Sequence, residues 1–204
     1  MLRIQRIFLS LLLLSTALPL AASEPATAPQ GEARVTWSLD PVAPEGPPRE
    51  FRFSRGETTR SLELGELVLI PVRIDLTEVK VQGVPVTLGA WVVSMRFDLS
   101  AVRVIGVGAG DGSPFGIPTS TDPVRANTIG KLKLAAVQND DINPAGIVDV
   151  ARVLVRELEP GGAQTIEITL DSVASSVRDP ITRRPLGDIR VGIEKPKGGV
   201  TSEE

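Results

Sequence analysis

From Ala90 to Phe97 the sequence alternates without a break. Trp91, Val93, Met95 and Phe97 fall on one parity, and Ala90, Val92, Ser94 and Arg96 on the other. Successive side chains of an extended chain point to opposite faces, so this pattern describes a strand with one buried face and one solvated face. The pattern recurs. Residues 129–137 set Leu132, Leu134 and Ala136 against Lys131, Lys133 and Ala135. Residues 165–170 set Ile166, Ile168 and Leu170 against Thr165, Glu167 and Thr169. Shorter apolar runs at 35–39, 67–76, 102–107 and 189–193 complete the set, with Gly, Pro and Asp between them. Pro71 lies inside one of these runs, which predicts an edge strand or a bulge there, because proline has no ladder donor.

One segment fits two periods. In residues 146–159, Ile147, Val150, Val153, Leu154 and Leu158 would share a helix face, whereas Val148, Val150, Leu154 and Leu158 share a strand parity interrupted by Arg152 and Arg156. The β-branched valines and the Pro160-Gly161-Gly162 turn favour the strand. Seven or more short strands with turn signals between them predict an all-β chain folded as an antiparallel β-sandwich. No repeat of the solenoid kind is present.

The N-terminus has a different character. Arg3 and Arg6 precede an almost wholly apolar run, residues 7–20, and Ala21-Ala22-Ser23 supplies small residues of the kind a signal peptidase cleaves. The run is short of the ~20 residues a spanning helix needs, and Pro19 interrupts its end. The expectation is a signal peptide at 1–23 and an exported protein, periplasmic or extracellular, with no membrane insertion after cleavage. Residues 24–50, with Pro41, Pro44, Pro47 and Pro48, are predicted as a leader and Pro-rich linker. The sandwich domain is predicted at 51–195, and residues 196–204 as a disordered tail.

Composition narrows the chemistry. The chain contains no Cys and no His. An exported protein without disulfides relies on its core. Without His the commonest general base and the commonest zinc ligand are both missing, as is every Ser-His or Cys-His nucleophile. The net charge of −3 becomes more negative when Arg3 and Arg6 leave, which argues against nucleic acid as a partner. The expectation is a chain that is not an enzyme and takes no cofactor. Two carboxylates for glycoside hydrolysis would have to come from Glu57, Glu63 and Glu66, or from Asp140, Asp141 and Asp149, and nothing in their spacing fixes the separation that chemistry requires. Asn139-Asp140-Asp141-Ile142-Asn143 lacks the alternation, the central Gly and the terminal Glu of a calcium loop, and is predicted as a turn.

Several segments carry a family resemblance. Leu69-Ile70-Pro71-Val72 resembles a V-x-V-P-V strand after a G-x-x-V turn, here Gly65-Glu66-Leu67-Val68. Residues 90–104 resemble a strand ending in Tyr-Asp followed by a turn and L-x-V, with Phe97 in place of Tyr. Residues 106–110, 151–175 and 187–193 resemble the V-x-x-G exit, the strand, Gly turn, strand pair, and the closing G-x-I-x-I. In this order, from residue 67 to residue 193, they resemble the cohesin domain, whose relatives include cellulose-binding modules.

That resemblance implies a jelly-roll-like topology and a non-catalytic protein-binding module, with a dockerin-like partner as the specific expectation. The two polar positions central to dockerin contact in the best-known cohesin class align with Ala90 and Val92, which offer no side-chain hydrogen bond. The candidate docking face is then more apolar: Val92, Ser94 and Arg96 with Lys131 and Lys133. An ordinary solvated sheet face accounts for the same residues. Phe115 and Ile117, central to the Gly/Pro-rich segment 108–127, either fold back over the end of the sandwich or anchor a partner. The alternative function is carbohydrate binding in an extracellular polysaccharide-handling system. Its aromatic platform would have to come from Trp37, Phe51, Phe53 and Phe115.

Overall fold

The computed structural model describes residues 28–41, 51–53, 67–138, 142–176, 188–189 and 191. Both the expected signal peptide, residues 1–23, and the expected tail, 196–204, lie outside the described residues. The chain forms β1 (Arg34–Trp37), β2 (Asp40–Pro41), β3 (Phe51–Phe53), β4 (Leu67–Asp75), β5 (Lys80–Val81), β6 (Val84–Pro85), β7 (Leu88–Arg96) and β8 (Val102–Ala109). It continues through β9 (Thr119–Ser120), helix α1 (Pro123–Ile129), β10 (Lys131–Val137), β11 (Ile147–Glu157), a 3-10 turn (Gly162–Thr165), β12 (Glu167–Ser175) and β13 (Asp188–Ile189).

Two antiparallel sheets result. The first has the order β1-β4-β11-β8-β3, with β2 also on β4, and the second has the order β13-β12-β7-β10-β9. From β4 onward the chain passes from the first sheet to the second at β7, back at β8, over again to β9 and β10, back at β11, and finally across to β12. This repeated crossing makes the fold an antiparallel β-sandwich of jelly-roll-like topology. Between the sheets lies one core of Val, Ile, Leu and aromatic side chains, among them Ile70, Val72, Trp91, Met95, Leu132, Leu134, Val153 and Ile168. Each such burial contributes roughly 1.5–3 kcal/mol.

The alternation seen in the sequence holds in β7, β10 and β12. Trp91, Val93, Met95, Leu132, Leu134, Ile166, Ile168 and Leu170 are all buried. It fails in β11, where a bulge shifts the register against β4 between Asp149 and Ala151. Val148 and Val150 face the core before the bulge, and Ala151, Val153 and Val155 face it afterwards. Leu154 is thereby turned to the other face, where it meets Ile105, Leu67 and Leu69. Leu158, expected on the buried parity, is exposed.

Pro71 is not on an edge, since β4 has neighbours on both sides. β1 and β2 hold one common register along β4, Trp37 opposite Val72 and Asp40 opposite Leu69. Pro71 faces the interruption between them, so its missing donor falls where the neighbouring strand is already broken. The sandwich also starts earlier than predicted. Gln30 exchanges backbone hydrogen bonds with Lys80, and Ala33 is fully buried. Residues 30–41, assigned from sequence to leader and linker, are therefore built into the first sheet or beside it.

Segment 108–127 is more ordered than a loop. Asp122 accepts a hydrogen bond from the Val124 N–H at 2.8 Å, Pro123 follows at the first helical position, and Gly130 closes α1 in the left-handed region at φ 66°. Ile129, placed in a strand by its sequence context, is the last residue of that helix. Asn127 ties the helix to the first sheet through the backbone of Val104.

Candidate functional site

β7 is the middle strand of the second sheet, between β12 and β10. Its inward side chains are core, so its other parity builds the outer surface together with the outward residues of both neighbours. Register fixes the rows across this surface. Lys131, Arg96 and Glu167 are directly opposite one another, and Lys133, Ser94 and Thr169 form the next row. Beyond these come Ala135, Val92 and Ser172, with Thr119 of β9 beside Ala135. The last row is Val137, Ala90 and Ala174. The face therefore grades along the strands from charged side chains to small apolar ones, and Val137 at the apolar end is 64% exposed.

At the charged end the surface is concave. A groove of about 230 Å³ is lined by Ser94, Arg96, Lys131, Glu167, Thr169 and Asp171. Its floor is Ser94, only 4% exposed, whose hydroxyl donates to Asp171 Oδ2 at 2.6 Å. Asp171 reaches this position because β12 carries a bulge between Leu170 and Ser172. Leu170 and Val173 stay buried while Asp171 and Ser172 both face out. Lys133 Nζ lies 3.7 Å from the same Oδ2, and the Thr169 hydroxyl donates to Asp171 Oδ1 at 3.4 Å. Asp171 is thus the hub of the groove. Among the described residues, Arg96, Lys131 and Glu167 are in no ion pair, although they line the same depression.

Five of the residues nominated from sequence, Val92, Ser94, Arg96, Lys131 and Lys133, are brought together on this face. Ala90 joins them at its apolar end. Phe115 does not, and its candidacy as a partner anchor is corrected. It is 9% exposed, belongs to the core, and meets Trp91 edge-to-face with ring centroids 6.2 Å apart. An aromatic already buried against another aromatic gains nothing by leaving for a partner. Ile117, two residues on, is 38% exposed and separate from the groove lining. Glu167, Thr169 and Asp171 are the site residues that sequence reasoning missed. The outward parity of Glu167 and Thr169 was a visible signal, but which strand they would join was not.

The other candidates are placed as follows. Asp149 is held by Arg73 Nε at 2.7 Å on the first sheet. Glu57, Glu63, Glu66, Asp140 and Asp141 lie outside the described residues. Trp37 packs against the core, and the side chains of Phe51 and Phe53 lie outside the description. Among the described residues no group of three His, Cys, Asp or Glu side chains could hold a metal ion, and no helix is long and apolar enough to cross a membrane.

No family model and no curated protein matches the chain. Among solved structures it is similar to the seventh ScaB type I cohesin from Pseudobacteroides cellulosolvens, at 11% identity over 67% of this chain and 89% of that one, with a TM-score of 0.41. It is also similar to the sixth cohesin of scaffoldin B from Acetivibrio cellulolyticus, solved in complex with a mutant dockerin, at 16% identity over 76% of this chain and 99% of that one, with a TM-score of 0.35.

Proposed function

We propose that this chain is an exported, non-catalytic protein-binding module that docks its partner on the outer face of the second sheet. One observation carries the reading. Residues nominated from sequence on separate strands, Val92, Ser94 and Arg96 on β7 and Lys131 and Lys133 on β10, share one exposed surface in register. A flat surface with a charged end, a concave polar groove and a small apolar end suits a folded protein partner better than a small substrate. The resemblance to cohesins supplies the finer expectation, a dockerin-like module. Export to the periplasm or the medium is part of the same proposal and rests on residues 1–23. At the positions aligned with the cohesin contact residues, Ala90 and Val92 call for a partner that meets them with apolar atoms.

Val92→Asp tests the reading. Val92 is half-buried on the outer face, where a carboxylate is tolerated by the fold. Used as bait on culture and envelope fractions, the wild-type protein is expected to recover a protein partner that Val92→Asp does not, with the same thermal unfolding midpoint for both. Recovery of no protein, together with binding on a glycan array, would overturn the proposal in favour of carbohydrate recognition. The intact mass of the released protein tests export, and a mass that still includes residues 1–23 would count against it.

A further inference from the structure

We propose that a second copy of this chain docks on the same face, in a two-fold arrangement whose axis runs parallel to the strands of the second sheet. The inference rests on that face being the docking surface, and it names one partner for it. Its basis is the distribution of charge across β10, β7 and β12. The outward charges of β10 are cationic, Lys131 and Lys133, and those of β12 are anionic, Glu167 and Asp171. These two strands flank β7 on opposite sides. A two-fold axis lying in the interface along β7 exchanges the two sides. It sets β10 of one copy over β12 of the other and leaves each residue's position along the strand unchanged.

The rows then match. Lys131 meets Glu167 of the second copy, and Lys133 meets Asp171 of the second copy. Arg96 lies near the axis across from Arg96 of the second copy, and the two arginines sit between Glu167 of one chain and Glu167 of the other. At the far end Val137, Ala90 and Ala174 meet the same three residues in reverse order, so small apolar surface faces small apolar surface. Within the single chain Lys133 and Asp171 already face each other at 3.7 Å, whereas the charge of the first row is unused. Lys131 lies directly opposite Arg96, a like-charge cross-strand pair that costs stability in isolation. Among the described residues neither cation has a carboxylate within ion-pair distance, and neither does Glu167. Two copies supply Lys131 and Glu167 each with an opposite charge.

The size of the face sets the strength. Three or four strands ~4.8 Å apart, over six residues of ~3.3 Å rise, give a total buried area on the order of 600–800 Å² for the pair. That is the low end of transient association, so the dimer is expected to be weak, to need high protein concentration, and to weaken further as salt screens the exposed pairs.

Sedimentation of the protein in the form cells release it, at rising concentration and at low and high salt, tests this. Reversible dimerisation that weakens at high salt is expected. Lys131→Glu and Glu167→Lys are each expected to weaken the dimer by about tenfold or more, because both symmetric contacts then bring like charges together. An equimolar mixture of the two variants is expected to dimerise again, since both substituted side chains meet opposite charges across the mixed interface. That restoration also shows that both variants are folded. A protein that stays monomeric throughout, or single variants that dimerise as the wild type does, would overturn the inference. A monomer that still captures a different protein through a Val92-dependent contact overturns self-association alone and leaves the proposed function standing.

Discussion

The side-chain amide of Asn127 brackets the backbone of Val104, accepting from its N–H at 2.8 Å and donating to its carbonyl at 2.8 Å. β8 is paired with β11 on one side and, among the described residues, with β3 on the other only along 106–108. At Val104, Asn127 therefore acts as one further peptide group beside β8, and α1 is held against the first sheet. Asn127→Ala leaves a donor and an acceptor of a buried residue without partners. A loss of about 1–3 kcal/mol is expected from the urea unfolding midpoint. Partner capture through the second sheet is expected to be unchanged in the folded protein. A loss below about 0.3 kcal/mol would mean that water replaces the amide at no cost.

How much of this was legible follows from what each feature depends on. The faces of β7, β10 and β12 were readable because each strand reports its own parity through burial alone. The switch of parity in β11 was not. An extra residue at Val150 shows only against the register of β4, and the sequence of one strand does not carry that register. The helix was present in the signals Asp122-Pro123 and Gly130. It has only seven residues, and both Val124 and Ile129 are exposed, so it shows no apolar stripe by which to recognise it. Half of the groove was legible for the same reason as the strands. The other half depends on Asp171 meeting Ser94 across 77 residues of sequence, a contact that only the pairing of β12 with β7 creates.

Phe115 separates a packing role from a binding role. It caps the core against Trp91, in a segment where Gly and Pro gave no strand pattern. Phe115→Ala is expected to cost about 3–5 kcal/mol, measured by chemical denaturation, as for other large-to-small changes in a core. At temperatures where the variant remains folded, its affinity for a captured partner is expected to match the wild type. A variant of unchanged stability that loses partner binding would return Phe115 to the docking surface.

Two glycines on the same connection distinguish steric need from backbone need. A Cβ at Gly110 would lie 2.3 Å from the Asp149 carbonyl oxygen and 2.4 Å from its carbon, beside the bulge of β11. A Cβ at Gly112 meets nothing within 4 Å, but its φ is +60°. Gly112→Ala is expected to cost about 1 kcal/mol, the penalty for a left-handed residue with a side chain. Gly110→Ala is expected to cost at least about 2 kcal/mol, because backbone rather than a flexible side chain must move. Thermal unfolding of both variants checks the order, and equal costs would show that the close approach at Gly110 relaxes freely.

The turn after β7 supplies the pH dependence. Asp98 Oδ1 accepts from the backbone N–H of Ser100 at 2.8 Å and from its hydroxyl at 2.7 Å. The Ser100 N–H, and then its hydroxyl, hold the Asp98 carboxyl below its ordinary value of 3.8. Both bonds favour the charged form, so folding depresses this pKa relative to the unfolded chain. The stabilisation is therefore fully present above the unfolded value of about 4, and it is lost as pH falls through the lower folded value. Asn at this position can still accept the two hydrogen bonds but carries no charge. The wild type is expected to exceed Asp98→Asn in urea midpoint at pH 7, and the gap is expected to narrow steadily as pH falls below about 4. Other carboxylates titrate over the same range in both proteins, so the difference between the two isolates Asp98. A gap that stays constant or widens in acid would mean that the charge on Asp98 contributes nothing to closing the turn.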